Sequence, residues 1–197
     1  VILTHLHFDH AGNLDQFPNA EFLVQRAEYD GWKRAFELPG DLGSDTKMWP
    51  MSSINKNDFV VLDALIAGGR VRFLHGDAEI APGVHCHFAP DTHTFGSQWV
   101  EVRTADGPYV VAGDCVYWYQ NIEAMWPPGY VQGNCWRLID IYQDITRLLD
   151  GRTDRIVPGH DPELFERHDS WVAGFNHVAE LHLAAGQVSR RPAPPAS

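Results

Sequence analysis

The chain has 197 residues, 44% of them apolar and 21% charged, the proportions of a globular protein of one domain rather than of a disordered chain. Lys and Arg number 15 against 26 Asp and Glu, a net charge of −11, which argues against nucleic acid or an anionic membrane as the main partner. No apolar run approaches the roughly 18 residues of a membrane-spanning helix, and three cysteines without CxxC spacing, Cys86, Cys115 and Cys135, argue against a disulfide framework or a cysteine zinc site.

In chain order, residues 1–3 are apolar and read as the end of a buried strand. The chain opens on Val1, so elements that pair with this strand are expected to lie upstream of it. A polar loop with Gly12 and Asn13 follows. A strand is expected over 20–25, and a helix over 26–36, ended by Pro39-Gly40. Residues 41–57 lack periodicity and read as a long loop or lid. A helix over 58–67 closes at Gly68-Gly69. Strands are expected over 70–74, 78–80 and 84–88. The turn Ala105-Asp106-Gly107-Pro108 joins strands over 98–104 and 109–113. Leu138, Ile141, Ile145, Leu148 and Leu149 give helical spacing over 135–149. A short strand over 155–157 runs into Pro158-Gly159-His160, and a last helix is expected over 170–183. Residues 190–197 form a Pro/Ala-rich tail. Alternating strands and helices with hairpins predict a layered α/β sheet protein, with one domain over 1–189.

The chemistry is concentrated in Thr4-His5-Leu6-His7-Phe8-Asp9-His10-Ala11-Gly12-Asn13. Imidazole and carboxylate are common ligands of Zn²⁺. Extended backbone alternates sides, so His5 and His7 point the same way. Asp9 and His10 follow as the chain turns and can face a second point a few Å away, so the spacing suits two metals better than one. Further ligands are expected where strands run into loops, and His93, Asp114 and His160 occupy such junctions. Ligand-type side chains packed directly after an apolar strand are costly to leave without a partner.

The order His5-Leu6-His7-Phe8-Asp9-His10, then His93, Asp114 and His160, resembles the HxHxDH…H…D…H signature of the metallo-β-lactamase superfamily. The resemblance covers nearly the whole chain. It implies an αβ/βα sandwich with two zinc ions at one edge. By the same resemblance, His5, His7 and His93 hold one ion, Asp9, His10 and His160 hold the other, and Asp114 bridges them. In that family several strands precede the HxHxDH motif. True β-lactamases of this superfamily usually have Cys at the position of Asp114, and flavodiiron proteins usually have an acid at the position of His7. Residues 13–26, Gly113-Asp114-Cys115-Val116-Tyr117 and Ile156-Val157-Pro158-Gly159-His160-Asp161 look most like the N-acyl-homoserine lactonases and the related pyridoxolactonases. There a Tyr three residues after the bridging Asp faces the substrate carbonyl, and Tyr117 stands at that place. The chain departs from that branch at Phe95, where Pro is usual, and in the long stretch from His10 to His93.

The resemblance implies a metal-dependent hydrolase that opens a lactone ring, first of all that of an N-acyl-homoserine lactone (quorum quenching). The expected attack is by a hydroxide shared between the metals, with Tyr117 on the oxyanion and Asp9 shuttling the proton to the leaving oxygen. Pyridoxolactone, thioesters and sulfate or phosphate esters are alternative substrates, and a zinc-binding domain without turnover is the non-enzymatic alternative. Iron, cobalt or manganese also suit donors without Cys. The expected partners are a small lactone or ester and, at most, a second copy of the chain, in the cytoplasm by default. His85 and His87 are read as a half-exposed strand face, and His168, His177 and His182 as surface or packing. Cys115 is read as a buried thiol, Asp161 as a candidate support for His160, and Trp49, Trp118, Tyr119, Trp126 and Tyr130 as candidate pocket walls. Thr4 and Asn13 are expected to brace the ligand loop.

Overall fold

The computed structural model describes residues 1–38, 51–182 and 187–191. Its helices and strands are α1 (Phe8–Ala11), β1 (Phe22–Gln25), α2 (Arg26–Phe36), α3 (Lys56–Ala67), β2 (Val71–Leu74), β3 (Ala78–Ala81), β4 (Val84–Pro90), β5 (Gly96–Thr104), β6 (Gly107–Gly113), α4 (Tyr119–Glu123), α5 (Cys135–Leu148), β7 (Ile156–Pro158), α6 (Leu164–Arg167), β8 (Asp169–Ala173) and β9 (Asn176–Glu180).

Side-chain alternation along the strands sets up the layers. On β1, Phe22 and Val24 point to one face, where they meet Trp32 of α2 and Phe59 and Leu62 of α3. Leu23 points to the other and meets Leu74, Cys86 and Val100. The five strands β3-β4-β5-β6-β7 form one sheet, antiparallel except for the β6–β7 pair. Val100 of this sheet faces β1 and β2, whereas Trp99, Val110, Ala112 and Ile156 face Leu138, Tyr142 and Ile145 of α5. The order is therefore helices, small parallel sheet, large sheet, helix: a mixed α/β sandwich. The α5 residues Leu138, Tyr142 and Ile145 recur at the spacing of one helix face, and Asn134 caps the helix by accepting from the Trp136 amide. Truncating one such fully buried side chain, for example Leu138→Ala, removes about 2–5 kcal/mol.

One sequence expectation is corrected. Of the helix expected over 170–183, the described residues 170–182 are not helical. β8 and β9 pair as a hairpin there, with Ala173 opposite Asn176. Gly174, at φ +64°, supplies the left-handed turn that a helix interior would disfavour, and Trp171, Val172 and Val178 are strand-favouring residues. The start of the expected 41–57 loop, residues 41–50 with Trp49 among them, lies outside the described residues, as do the Pro39-Gly40 helix stop and residues 192–197. The remainder of that loop is packed, with Met51 and Ile54 buried against Trp32 and Leu62. Smaller shifts occur at element ends. Val1–Leu3 is reduced to a single bridge between Ile2 and Leu23, and the helix expected over 58–67 begins at Lys56, capped by Asn55.

Candidate metal centre

The ligand-type residues all lie at one edge of the sandwich. The segment carrying His5 and His7 is pinned to β5: the Gln98 amide N–H donates to Thr4 O at 2.8 Å, and its side-chain NH₂ donates to Leu3 O at 2.7 Å. His7 ends the extended stretch and α1 turns the chain by one helical turn, which redirects Asp9 and His10. His93 sits in the loop between β4 and β5, Asp114 directly after β6, and His160 two residues after β7. Two glycines permit this convergence. Gly113 has φ +51° beside Thr4, and a Cβ on Gly159 would lie 2.5 Å from Asp114 Oδ1. Pro158-Gly159-His160 therefore lets His160 reach the carboxylate only because position 159 has no side chain.

Seven side chains meet. His5, His7, His93 and Asp114 present ligand atoms within 4.8 Å of one another, and so do Asp9, His10 and His160. Asp114 touches both groups. Its Oδ2 is 3.2 Å from His93 Nε2 and 3.6 Å from His5 Nε2, while its Oδ1 is 3.0 Å from His10 Nε2 and 3.1 Å from His160 Nε2. Asp9 Oδ2 is 3.6 Å from His10 Nε2 and 3.5 Å from His160 Nε2. Every residue singled out as a ligand from the sequence is thus brought together, and in the expected grouping.

The electrostatics suit a cation. Burial, reinforced by the neighbouring His93, lowers the pKa of His5 well below its ordinary value and that of His7 to about 4, so both are neutral donors at pH 7. For Asp114, burial works to raise the pKa, but hydrogen bonds from His10 and His93 and the surrounding imidazoles hold the carboxyl far below the usual carboxylate range. For His10, burial lowers the pKa, yet the bond to Asp114 outweighs it and the net shift is upward. His5 Nε2 is buried without a hydrogen-bond partner among the described residues. A buried orphan of this kind is uncommon, and a cation between His5 and Asp114 satisfies it. Neutral imidazoles and a carboxylate, with no thiolate, form a donor set that fits a divalent ion such as Zn²⁺.

Tyr117 lies alongside, its ring 5.3 Å from that of His93 and 5.0 Å from that of His160. Burial and the Asp114 carboxylate push its hydroxyl pKa up, so it stays protonated. Thr4 Oγ1 is 3.2 Å from His5 Nδ1, in keeping with a bracing role, and Asn13 closes the turn after α1 in the left-handed region at φ 60°. Asp161 supports the loop rather than the ligands, accepting from the Tyr119 and Glu163 amides. Tyr119 belongs to the core, where its hydroxyl donates to Ile156 O. This removes it from the expected pocket walls. Trp118 and Trp126 do line a surface pocket with Pro127 and Pro128. His87 stacks on Trp99 at 3.9 Å and pairs with Glu101, away from the centre. Phe95 packs edge-on against Trp32 and fills the space left by Gly31.

Two participants escape sequence reasoning. Glu28, in the first turn of α2, is fully buried. It accepts from Leu6 N at 3.0 Å, Trp32 Nε1 at 2.8 Å, Thr94 Oγ1 at 2.7 Å and Gly96 N at 2.7 Å. One carboxylate thereby ties the His5–His7 segment to the His93 loop. Burial raises the Glu28 pKa against the pull of these four donors. Gln132 contacts His7 directly. Neither has a local sequence signature: an acid in a helix's first turn and a glutamine in a loop are commonplace.

The profile of the Metallo-beta-lactamase superfamily matches residues 1–160. An N-acyl homoserine lactonase of a Bacillus species is 29% identical over 124 residues, covering 62% of this chain and 40% of the relative. The N-acyl homoserine lactonase AttM of Rhizobium radiobacter is 25% identical over 198 aligned positions, covering 92% of this chain and 62% of that one. The chain thus spans between two fifths and about three fifths of the length of these relatives. Among solved structures, an N-acyl homoserine lactone hydrolase with N-hexanoyl-L-homoserine at its catalytic metal centre superposes with TM-score 0.60 at 21% identity, over 90% of this chain and 60% of that one. AidC, a dizinc quorum-quenching lactonase, superposes with TM-score 0.62 at 16% identity, over 95% and 64%. The layered sandwich, the ligand-type residues gathered at its edge and the match over residues 1–160 agree: the chain belongs to the metallo-β-lactamase superfamily.

Proposed function

We propose that this chain carries the metal centre of a lactonase that hydrolyses N-acyl-homoserine lactones, with His5, His7 and His93 on one zinc ion, Asp9, His10 and His160 on the second, and Asp114 shared. The observation that carries the reading is Asp114, whose two oxygens face the two groups of ligands separately. The names of the relatives supply the substrate class. Divalent ions bound there supply Lewis acidity and make water acidic enough to yield hydroxide near neutral pH.

The chain's own residues do the rest. His5 and His7 are neutral and need lose no proton to act as ligands. Tyr117 keeps its proton and donates a hydrogen bond to the carbonyl oxygen as negative charge develops there. Asp9, partly open to solvent, takes the proton that the attacking water gives up and hands it to the ring oxygen as the acyl C–O bond breaks. Water adds across that bond, leaving a carboxylate and an alcohol and releasing one proton.

The test is the purified chain loaded with zinc, given N-acyl-homoserine lactones beside pyridoxolactone, a thioester and a phosphodiester, with acid release followed by a pH indicator. Fastest turnover is expected on the acyl-homoserine lactones. Two tightly bound zinc ions with no lactone opening above that of zinc alone would overturn the substrate assignment. Failure to bind zinc would overturn the centre itself.

A further inference from the structure

The geometry points to Gln132 as a positioning residue that fixes the tautomer of His7, so that Nε2 carries the proton and the Nδ1 lone pair faces the metal. The inference rests on the proposed role of His7 as a metal ligand.

His7 has two ring nitrogens in different surroundings. Nδ1 points into the cluster, 3.2 Å from His93 Nε2. Nε2 points out of it, 2.7 Å from Gln132 Oε1. A neutral imidazole carries one N–H, and the partner of one nitrogen decides which nitrogen is left to bind metal. The amide of Gln132 is itself oriented. Its NH₂ lies 3.1 Å from Tyr130 Oη and 3.4 Å from Ser53 Oγ, and Tyr130 Oη donates to Ser53 Oγ at 3.0 Å. Because the Tyr130 hydroxyl spends its proton on Ser53 Oγ, its oxygen accepts from the Gln132 NH₂, which leaves Gln132 Oε1 facing His7 Nε2 as the acceptor.

The backbone around Gln132 makes this placement firm. Gln132 N–H donates to His93 O, Gly133 N–H to Thr92 O and Asn134 N–H to Asp91 O, each at 3.0 Å. Gly133 allows the two segments to lie this close, because a Cβ there would collide with Thr92 O. The residue that orients His7 is therefore carried on the same backbone ladder as His93, and the two ligands keep their mutual position. His5 differs, since a hydroxyl of Thr4 stands at its Nδ1 and can either donate or accept. His7 thus faces an amide oxygen, which only accepts, where His5 faces a hydroxyl that can do either.

Two measurements on the full chain test this. A long-range ¹H–¹⁵N spectrum of the metal-free protein reads the tautomer of His7, its resonance assigned by its disappearance in H7N. The Nε2–H form is expected, and a predominant Nδ1–H form would overturn the proposal. The second compares zinc affinity by chelator competition in Gln132→Leu and Gln132→Glu. Loss of such a supporting partner typically weakens metal binding by about 10–100-fold. Q132L should show that loss for one of the two ions. Q132E keeps an acceptor at His7 and should return to within a few-fold of wild type. Equal affinities in Q132L and wild type, or equal weakness in Q132L and Q132E, would overturn it. If Q132L fails to fold, the spectrum of the wild-type chain still decides. If wild type binds no zinc, the ligand reading falls while the tautomer stays measurable.

Discussion

The two halves of the metal centre are built differently. His5, His7, His93 and Asp114 are 0–2% exposed, whereas His10 is 17% and Asp9 and His160 are each 38% exposed at the side chain. The buried group is held from behind by Thr4, Gln132 and, through the backbone of Leu6 and the Thr94 loop, by Glu28. The outer group stands on a four-residue helix, α1, and on the loop after β7, with bulk water on one side. The buried half is thus arranged by folding itself, while the outer half is arranged by the loops that carry it and by Asp114. On the proposed reading, the buried half suits holding an ion and the open half suits exchanging ligands.

The largest test of that contrast removes ligands from each half in turn. His5→Ala with His7→Ala should abolish lactone turnover and release both ions, because the outer group depends on an Asp114 held in place by the inner one. His160→Ala should also abolish turnover but retain one zinc equivalent. Zinc counted per chain by atomic emission decides this, and retention of both ions in the double variant would reverse the assigned roles. Tyr117→Phe removes a donor and no ligand, so both ions should stay while kcat falls by roughly two to three decades, the scale of losing one oxyanion donor.

A smaller effect separates the supports. Glu28→Ala leaves the Leu6, Gly96 and Trp32 N–H groups without their acceptor inside the core, whereas Thr94 can turn to Ser97 Oγ, 2.6 Å away. Each buried unsatisfied donor costs about 1–3 kcal/mol, so a loss of about 3 kcal/mol or more is expected from the urea midpoint. Asp9→Asn, on the open side, should change stability by no more than about 0.5 kcal/mol while lowering turnover. Equal destabilisation by the two substitutions would erase the distinction between a braced and an unbraced half.

What the sequence shows of this centre follows the same division. His5, His7, Asp9 and His10 are legible because adjacent residues impose their geometry. His93, Asp114 and His160 are legible because ligands gather where strands enter loops. Glu28 and Gln132 are not, since their roles arise only when segments far apart in the chain close on each other. The C-terminal hairpin is misread for a related reason. Trp171, Val178 and Leu181 are spaced by seven and three residues, as on one helix face, whereas strand-favouring Val172 and Val178 and the left-handed turn at Gly174 mark the hairpin. The core of α5, with five apolar residues in register, leaves no such ambiguity.

The smallest and most discriminating effect is on acid release of the metals. Metal binding requires unprotonated imidazoles, so protons compete with the ions. Burial, then His93, lowers the pKa of His7 to about 4, and burial lowers that of His5 as well, so these two ligands resist protonation. For His10 the pull of Asp114 overcomes burial and the shift is upward, so as the pH falls His10 takes a proton before His7 does. Lowering the pH from about 8 to about 5, the range in which histidine changes charge, should therefore release zinc in two steps, with the outer ion leaving first. His160→Ala should show only the later step. Release of both ions in one step would mean that Asp114, shared by both groups, couples them more strongly than burial separates them.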